Sequence, residues 1–150
     1  MLTRTLLSLL VLALPVSSID AAPVSAVFPS FAVPSNKLSE GDRILGNAFR
    51  KKKTAFMVKL QATVVSNLPD DTEGSRHQRF IVKLASGQTL LIVHNIDLAP
   101  RVLKPKAGQR VIIHGEYIWN NKGGLIHKTH RDPQGDDPDG WILHKGRKYL

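Results

Sequence analysis

At 150 residues, 22% of them charged and none of them cysteine, the chain suffices for one packed core and excludes disulfides, thiolate catalysis and Cys-based zinc sites. A formal net charge of +9 either draws polyanions, such as nucleic acid, anionic lipid or acidic polysaccharide, or simply aids solubility. The basic blocks Arg50–Lys53 and Lys145, Arg147, Lys148 stand apart from the acidic groups Asp70, Asp71, Glu73 and Asp136, Asp137, Asp139, which argues against a uniformly nucleic-acid-coating surface.

Residues 1–26 read as an export signal. Arg4 supplies the positive start, Leu6 to Leu14 the apolar run and Pro15 its break, with cleavage expected after Ala26 or, second, after Ser18. The apolar run is far shorter than the ~20 residues of a spanning helix. The mature chain is therefore expected to be secreted or periplasmic and without a membrane span; an uncleaved anchor is the alternative. Residues 27–38 are Pro- and Ser-rich, a flexible lead-in, and 39–150 form one domain.

Ser39 is an N-cap, with Glu40 and Asp42 in the first turn and Arg50 to Lys53 at the end, the order a helix dipole favours. Ile44, Leu45, Ala48 and Phe49 share one face, so 39–51 is predicted as a short amphipathic helix weakened by Gly41 and Gly46. The period then changes to two. Phe56, Val58, Leu60, Ala62 and Val64 alternate with Met57, Lys59, Gln61 and Thr63 in a first strand, and Asn67 to His77 reads as a long polar loop. Phe80, Val82 and Leu84 mark a second strand, Ser86-Gly87 a hairpin turn, and Thr89 to His94 a third. Asn95 to Leu103 suits a short helical link ended by Pro105 and Gly108. Arg110 to Tyr117 is a fourth strand, Asn120 to Gly124 a turn and Leu125 to Thr129 a fifth. Trp141–His144 and Arg147–Leu150 suit a terminal hairpin about Lys145-Gly146.

Three strands, a link and two more strands is the order of an OB-type barrel. The expectation is an all-β, five-stranded, antiparallel OB-type barrel over 54–130 with one or two short helices. Closure removes sheet edges, which suits an exported domain without disulfides. An open α+β sheet is the rival. In OB barrels the ligand crosses strands two and three, flanked by the loops joining strands one to two and four to five. Here those loops carry Arg76, His77 and Arg79, and Trp119, Asn120 and Lys122, expected to converge with His127 on one ligand site.

The stretches Leu68-Pro69-Asp70-Asp71, Gly74 to Phe80, Ser86 to Leu91, His94 to Arg101, Gly123 to His127 and Gly140-Trp141-Ile142 carry a resemblance from about Ala48 to Tyr149. They resemble the bacterial domain-of-unknown-function family 3465 (DUF3465), which implies a small exported protein and no particular activity. The chain departs from the pattern at Ile118, where the resemblance leads one to expect an acid, at Lys128, where Trp is expected, and at Arg131, where a further His is expected. A site that depends on those groups is altered here.

The segment from Gly115 to Pro133 crowds His, carboxylates, cations and aromatics around one Gly-Gly turn. His127, His130 and Asp132 are a candidate ligand set for zinc or another divalent ion, provided the strand ends before His130, since 127 and 130 otherwise face opposite ways. The competing reading gives Asp132 a turn to cap and both His local hydrogen bonds. Arg76 and Arg79 suit a phosphate or carboxylate, or else pair with Asp70, Asp71 or Glu73. Tyr117 and Trp119 either stack on a base or pack in the barrel wall and under the C-terminal tail. His94, Asn95 and Asp97 are expected to close strand three and cap the link.

These residues support an exported OB-type module binding an anionic ligand such as nucleic acid. The alternative is a metal-dependent phosphodiesterase or nuclease with His127 and His130 at the site, His77, His127, His130 and Asp132 as catalytic candidates, and Arg76 or Arg79 stabilising developing charge. An interaction role in the cell envelope is a third reading.

Overall fold

The computed structural model describes residues 38–150. The expected export signal, its cleavage positions and all but the last residue of the lead-in lie outside the described residues. Helix α1 spans Glu40–Lys51. Ser39 caps it by accepting the Asp42 amide, and Lys52 closes it in the left-handed region, its N–H turned back to the Ala48 and Phe49 carbonyls. Gly41 answers a packing need: a Cβ there would stand 2.5 Å from the Lys59 carbonyl oxygen. Glycine thus lets the first turn lie directly on the adjacent backbone, while the buried Asp42 carboxylate accepts the Ser86 amide at 3.0 Å. Among the described residues no helix is long and apolar enough to cross a membrane.

Seven strands come after it: β1 Phe56–Asp71, β2 His77–Lys83, β3 Thr89–Asn95, β4 Arg110–Ile118, β5 Leu125–His127, β6 Trp141–His144 and β7 Arg147–Tyr149. Strand β1 runs well past the end that alternation suggested. Its register with β2 shifts between Val64 and Ser66, and the break in alternation disguises Asn67 to Asp71 as loop although they pair with β2. That bend lets the first half of β1 pair with β4 and the second half with β2.

The expected helical link is not a helix. Asn95 Oδ1 accepts the Asp97 and Leu98 amides in a single turn, and Pro100 then forbids helical continuation. The link is tied down by side chains instead. Gln78 donates to the Val102 carbonyl at 3.0 Å and accepts its amide at 2.9 Å, holding Val102 fully buried between β3 and β4 in sequence.

The strands close into a ring in the order β1-β2-β3-β5-β4, with β4 returning to β1. All ring contacts are antiparallel except β3–β5, where Leu91 and Ile92 pair in parallel with Leu125 and Ile126, a correction to the all-antiparallel expectation. Leu60, Phe80, Ile92, Ile113, Tyr117 and Ile126 fill the ring, and Leu45 and Ala48 of α1 join that core. Burying each large apolar side chain stabilises by about 1.5–3 kcal/mol. The described residues are thus mostly β, with one short helix and a closed circuit of five strands.

One detail of that circuit positions the chemistry. The second edge of β4 is shared: Glu116 to Ile118 pair with β5, whereas Val111 to His114 pair with β6. Strand β5 ends where β6 begins, and the β6–β7 hairpin extends the sheet outside the ring.

Candidate functional site

The two loops expected to converge lie at opposite ends of β3. The Arg76 carbonyl accepts the Ile96 amide just beyond the C-terminal end of β3, whereas the backbone of Gly123 lies against Thr89 at its start. At the first end, Arg76 is engaged by Asp97 through both its amide and its Nε, each 2.7 Å long, and these contacts hold the Asp97 carboxyl below its ordinary pKa. Asp70 is hydrogen-bonded by Arg101, which likewise lowers its pKa. Arg79 donates to the Pro69 carbonyl, and His77 opens β2 beside Asn95. The arginines were expected to bind an anion or to pair with Asp70, Asp71 or Glu73 of their own loop; Arg76 takes its partner from the link after β3 instead, while Arg79 stays with the backbone of Pro69.

At the other end, Asn120 Oδ1 accepts the Lys122 and Gly124 amides and so builds the turn. Trp119 is committed to α1: its Nε1 donates to the Phe49 carbonyl at 3.1 Å, its ring lies 6.4 Å from that of Phe49, and Lys52 sits over it. It therefore packs neither on a free face nor under the C-terminal tail. Lys122 remains exposed on the turn.

His127, His130 and Asp132 are not brought together. His127 Nε2 lies 2.8 Å from Glu116 Oε2, buried yet outside hydrogen-bonding alignment. His130 Nδ1 donates to the Arg131 carbonyl in the tautomer that protonates it. Asp132 accepts the Asp136 and Asp137 amides, first of all the latter, which lowers its pKa. Among the described residues, no three His or carboxylate side chains converge as a metal-ion group.

Functional groups gather instead on the outer face of β4, where β5 passes the edge to β6. Cross-strand partners share a face, so the pairings order that surface in rows. Met57, Glu116 and His127 form one row, Lys59, His114 and Trp141 the next, and Gln61, Ile112, Leu143 and Lys148 a third. Glycines make the handover possible. A Cβ on Gly115 would stand 2.6 Å from the His127 carbonyl oxygen, and one on Gly140 would run into the Lys128 carbonyl. Lys128 ends β5 with φ +47°, and its ammonium bridges Glu116 at 3.5 Å and Asp137 at 2.7 Å, contacts that raise its pKa, Asp137 foremost.

Trp141 lies half-buried at the centre. Lys148 Nζ stands 4.8 Å and Lys59 Nζ 5.6 Å from its ring, and the His114 ring is 5.8 Å away at 41°. His114 Nδ1 meets the Asp139 carbonyl at 2.9 Å, which ties the 130–139 loop to the edge of the face. Beside Lys59 a trough of about 530 Å³ runs between α1 and β1, floored by Met57, Gln61 and Ile112 with Glu40 at its helix end. Lys59, Arg110 and Lys148 have no carboxylate at salt-bridge distance among the described residues.

Beneath the face, His94 fixes the end of β5. Its Nδ1 accepts from the Thr129 hydroxyl at 2.8 Å while Nε2–H donates to the Pro100 carbonyl at 3.1 Å, the arrangement of a neutral ring. Burial lowers its pKa and favours that state.

Lys59, His114, Trp141 and Lys148 did not enter the sequence-based site. The available signal was the wet alternate positions of β1 and β4, which required their register to become a site. The chain matches no curated protein. The family described as "Protein of unknown function (DUF3465)" matches residues 27–150, and the chain belongs to that family.

Proposed function

We propose that this chain is an exported OB-type binding module for an anionic ligand, with nucleic acid the first ligand to test. The ring order and its single parallel closure support reading the five strands as an OB-type barrel. The observation that carries the binding reading is a group of cations without carboxylate partners among the described residues, gathered on one sheet face around Trp141. Arg76, Arg101 and Lys128 are each neutralised by a carboxylate, whereas Lys59, Arg110 and Lys148 share the outer face of β1, β4 and β7 without one among the described residues. Unpaired cations on one rigid sheet attract a polyanion at little reorganisation cost. This reading puts the ligand face on β1, β4, β6 and β7, where Lys59 and Lys148 flank Trp141, rather than across strands two and three.

Gel shifts of labelled single- and double-stranded nucleic acid test this. Binding should weaken steeply as salt rises, since each neutralised phosphate releases counterions. Lys59→Ala with Lys148→Ala should weaken binding and flatten the salt slope by roughly 1–2; Arg76→Ala should leave both unchanged. Equal losses from the two sets, or no shift at low salt, would sink the proposal.

A second reading, phosphodiester hydrolysis, draws on the Glu116–His127 pair, a carboxylate beside an imidazole in the manner of a general base and its orienting group. A divalent-ion version using His127, His130 and Asp132 would require 128–132 to rearrange, because His130 and Asp132 are already engaged with backbone. Cleavage that needs a divalent ion, stops on chelation and disappears in His127→Ala would favour it.

A further inference from the structure

We propose that the ligand of this face is single-stranded nucleic acid, with one base stacked on Trp141 and the flanking phosphates held by Lys59 and Lys148; this rests on the anion-binding reading above. The two tryptophans of the chain are held very differently. Trp119 is fastened by its indole N–H and by the Phe49 ring. Trp141 forms no hydrogen bond through its indole among the described residues and lies outside the core; its polar neighbours are two ammonium groups and an imidazole. Ammonium groups on four-carbon stems move at little cost, and the electron-rich face that attracts them also accepts a base.

The exchange is favourable in charge as well. A base displacing an ammonium from the ring brings a phosphate within that ammonium's reach, so a weak cation–π contact becomes a charge-assisted hydrogen bond. Lys59 lies at the β1 end of the Trp141 row, beyond His114, and Lys148 on β7 on the other side of β6, so the two reach the ring from opposite sides, which suits one nucleotide between two phosphates. The trough beside Lys59 gives the strand room to continue over Met57 and Gln61.

A duplex cannot use this platform, since its bases are already stacked and paired. Nor is the face built to enter a bilayer. Among the described residues, apart from Ile44 on α1, the large exposed apolar side chains are Val65, Leu68, Leu98 and Leu103, on the far half of β1 and the link after β3.

The test uses tryptophan emission and fluorescence anisotropy at low salt, with oligothymidylate and an abasic oligonucleotide of equal length and charge. In Trp119→Phe, which leaves Trp141 as the reporter, oligothymidylate should quench emission and the abasic strand should not. The base-containing strand should bind about tenfold more tightly. Trp141→Ala should abolish that difference while retaining weak, salt-sensitive binding of both strands. If Trp119→Phe fails to fold, the comparison of unmodified protein with Trp141→Phe and Trp141→Ala by anisotropy carries the same decision. Equal binding of the two strands, or a difference that survives in Trp141→Ala, overturns the stacking and leaves the anion reading standing. Binding of neither strand overturns both. Tighter binding of an acidic polysaccharide, with the same quench, overturns nucleic acid as the ligand.

Discussion

Gln78→Ala isolates the contact that holds the link between β3 and β4. The Gln78 amide satisfies both backbone groups of Val102, a residue with 0% exposure, through bonds of 3.0 and 2.9 Å. Truncation orphans a buried donor and a buried acceptor at about 1–3 kcal/mol each. Partial relaxation toward water brings the expected loss to about 3–4 kcal/mol. A domain of this size is typically stable by about 5–15 kcal/mol and loses about 4 °C of Tm per kcal/mol, so the melt should fall by about 12–16 °C. Gln78→Glu sharpens the test. Its carboxyl can both donate to and accept from Val102 only while protonated, so the folded state should raise its pKa. Stability is then present in acid and lost as pH rises through that raised value. Urea denaturation followed by far-UV circular dichroism at neutral and acid pH measures both effects, taken as differences from the unmodified protein. A loss below about 1 kcal/mol in Gln78→Ala, or a Gln78→Glu difference that ignores pH, would refute this account.

Burial lowers the pKa of His94 and of His144, so the unfolded chain binds more protons in acid. Stability should be complete above the ordinary histidine pKa of about 6.5 and decline as pH falls below it; urea midpoints from about pH 7.5 to 5 that do not move would contradict this, and His94→Gln should flatten the decline. Gly140→Ala would push a methyl group into the Lys128 carbonyl and should cost about 2–3 kcal/mol or detach β6 from the end of β5. An unchanged urea midpoint, together with unchanged Trp141 emission, would show that the handover tolerates the extra carbon.

The features legible in the residues were local ones. In α1, the Ser39 cap and the acidic first turn recur in the structure; of the expected apolar face Ile44, Leu45, Ala48 and Phe49, Leu45 and Ala48 are buried, Phe49 is half-buried and Ile44 is exposed, because the helix lies on β1 through Gly41 and turns Ile44 outward. The inward row of β1 from Val58 to Val64 comes from period two. Beyond Val64 the register shift breaks the period, and Asn67 to Asp71 keep their pairing without an apolar stripe to advertise it. The helical expectation for the link failed for a related reason: Asn95 does start a turn, as its side chain suggests, but Pro100 and the Gln78 clamp set the path of the chain beyond it.

The site shows the same division between near and far. Glu116 and His127 face each other across the Asn120–Gly124 turn, so hairpin symmetry alone brings them close. Lys59, His114 and Trp141 meet only because β4 takes β1 on one edge and β6 on the other, two pairings that no local pattern specifies. The departures from the family pattern then bear on the same face. Where the resemblance leads one to expect Trp at 128, this chain places a lysine that bridges Glu116 and Asp137. The carboxylates of the handover are thereby occupied from within, and Lys59 and Lys148 are left facing outward around one unfastened ring. A pattern with a second aromatic at 128 would offer another platform and leave Glu116 with one cation fewer. In this chain Lys128 takes up the Glu116 and Asp137 carboxylates at the end of β5, while Lys59 and Lys148 stand over the Trp141 ring.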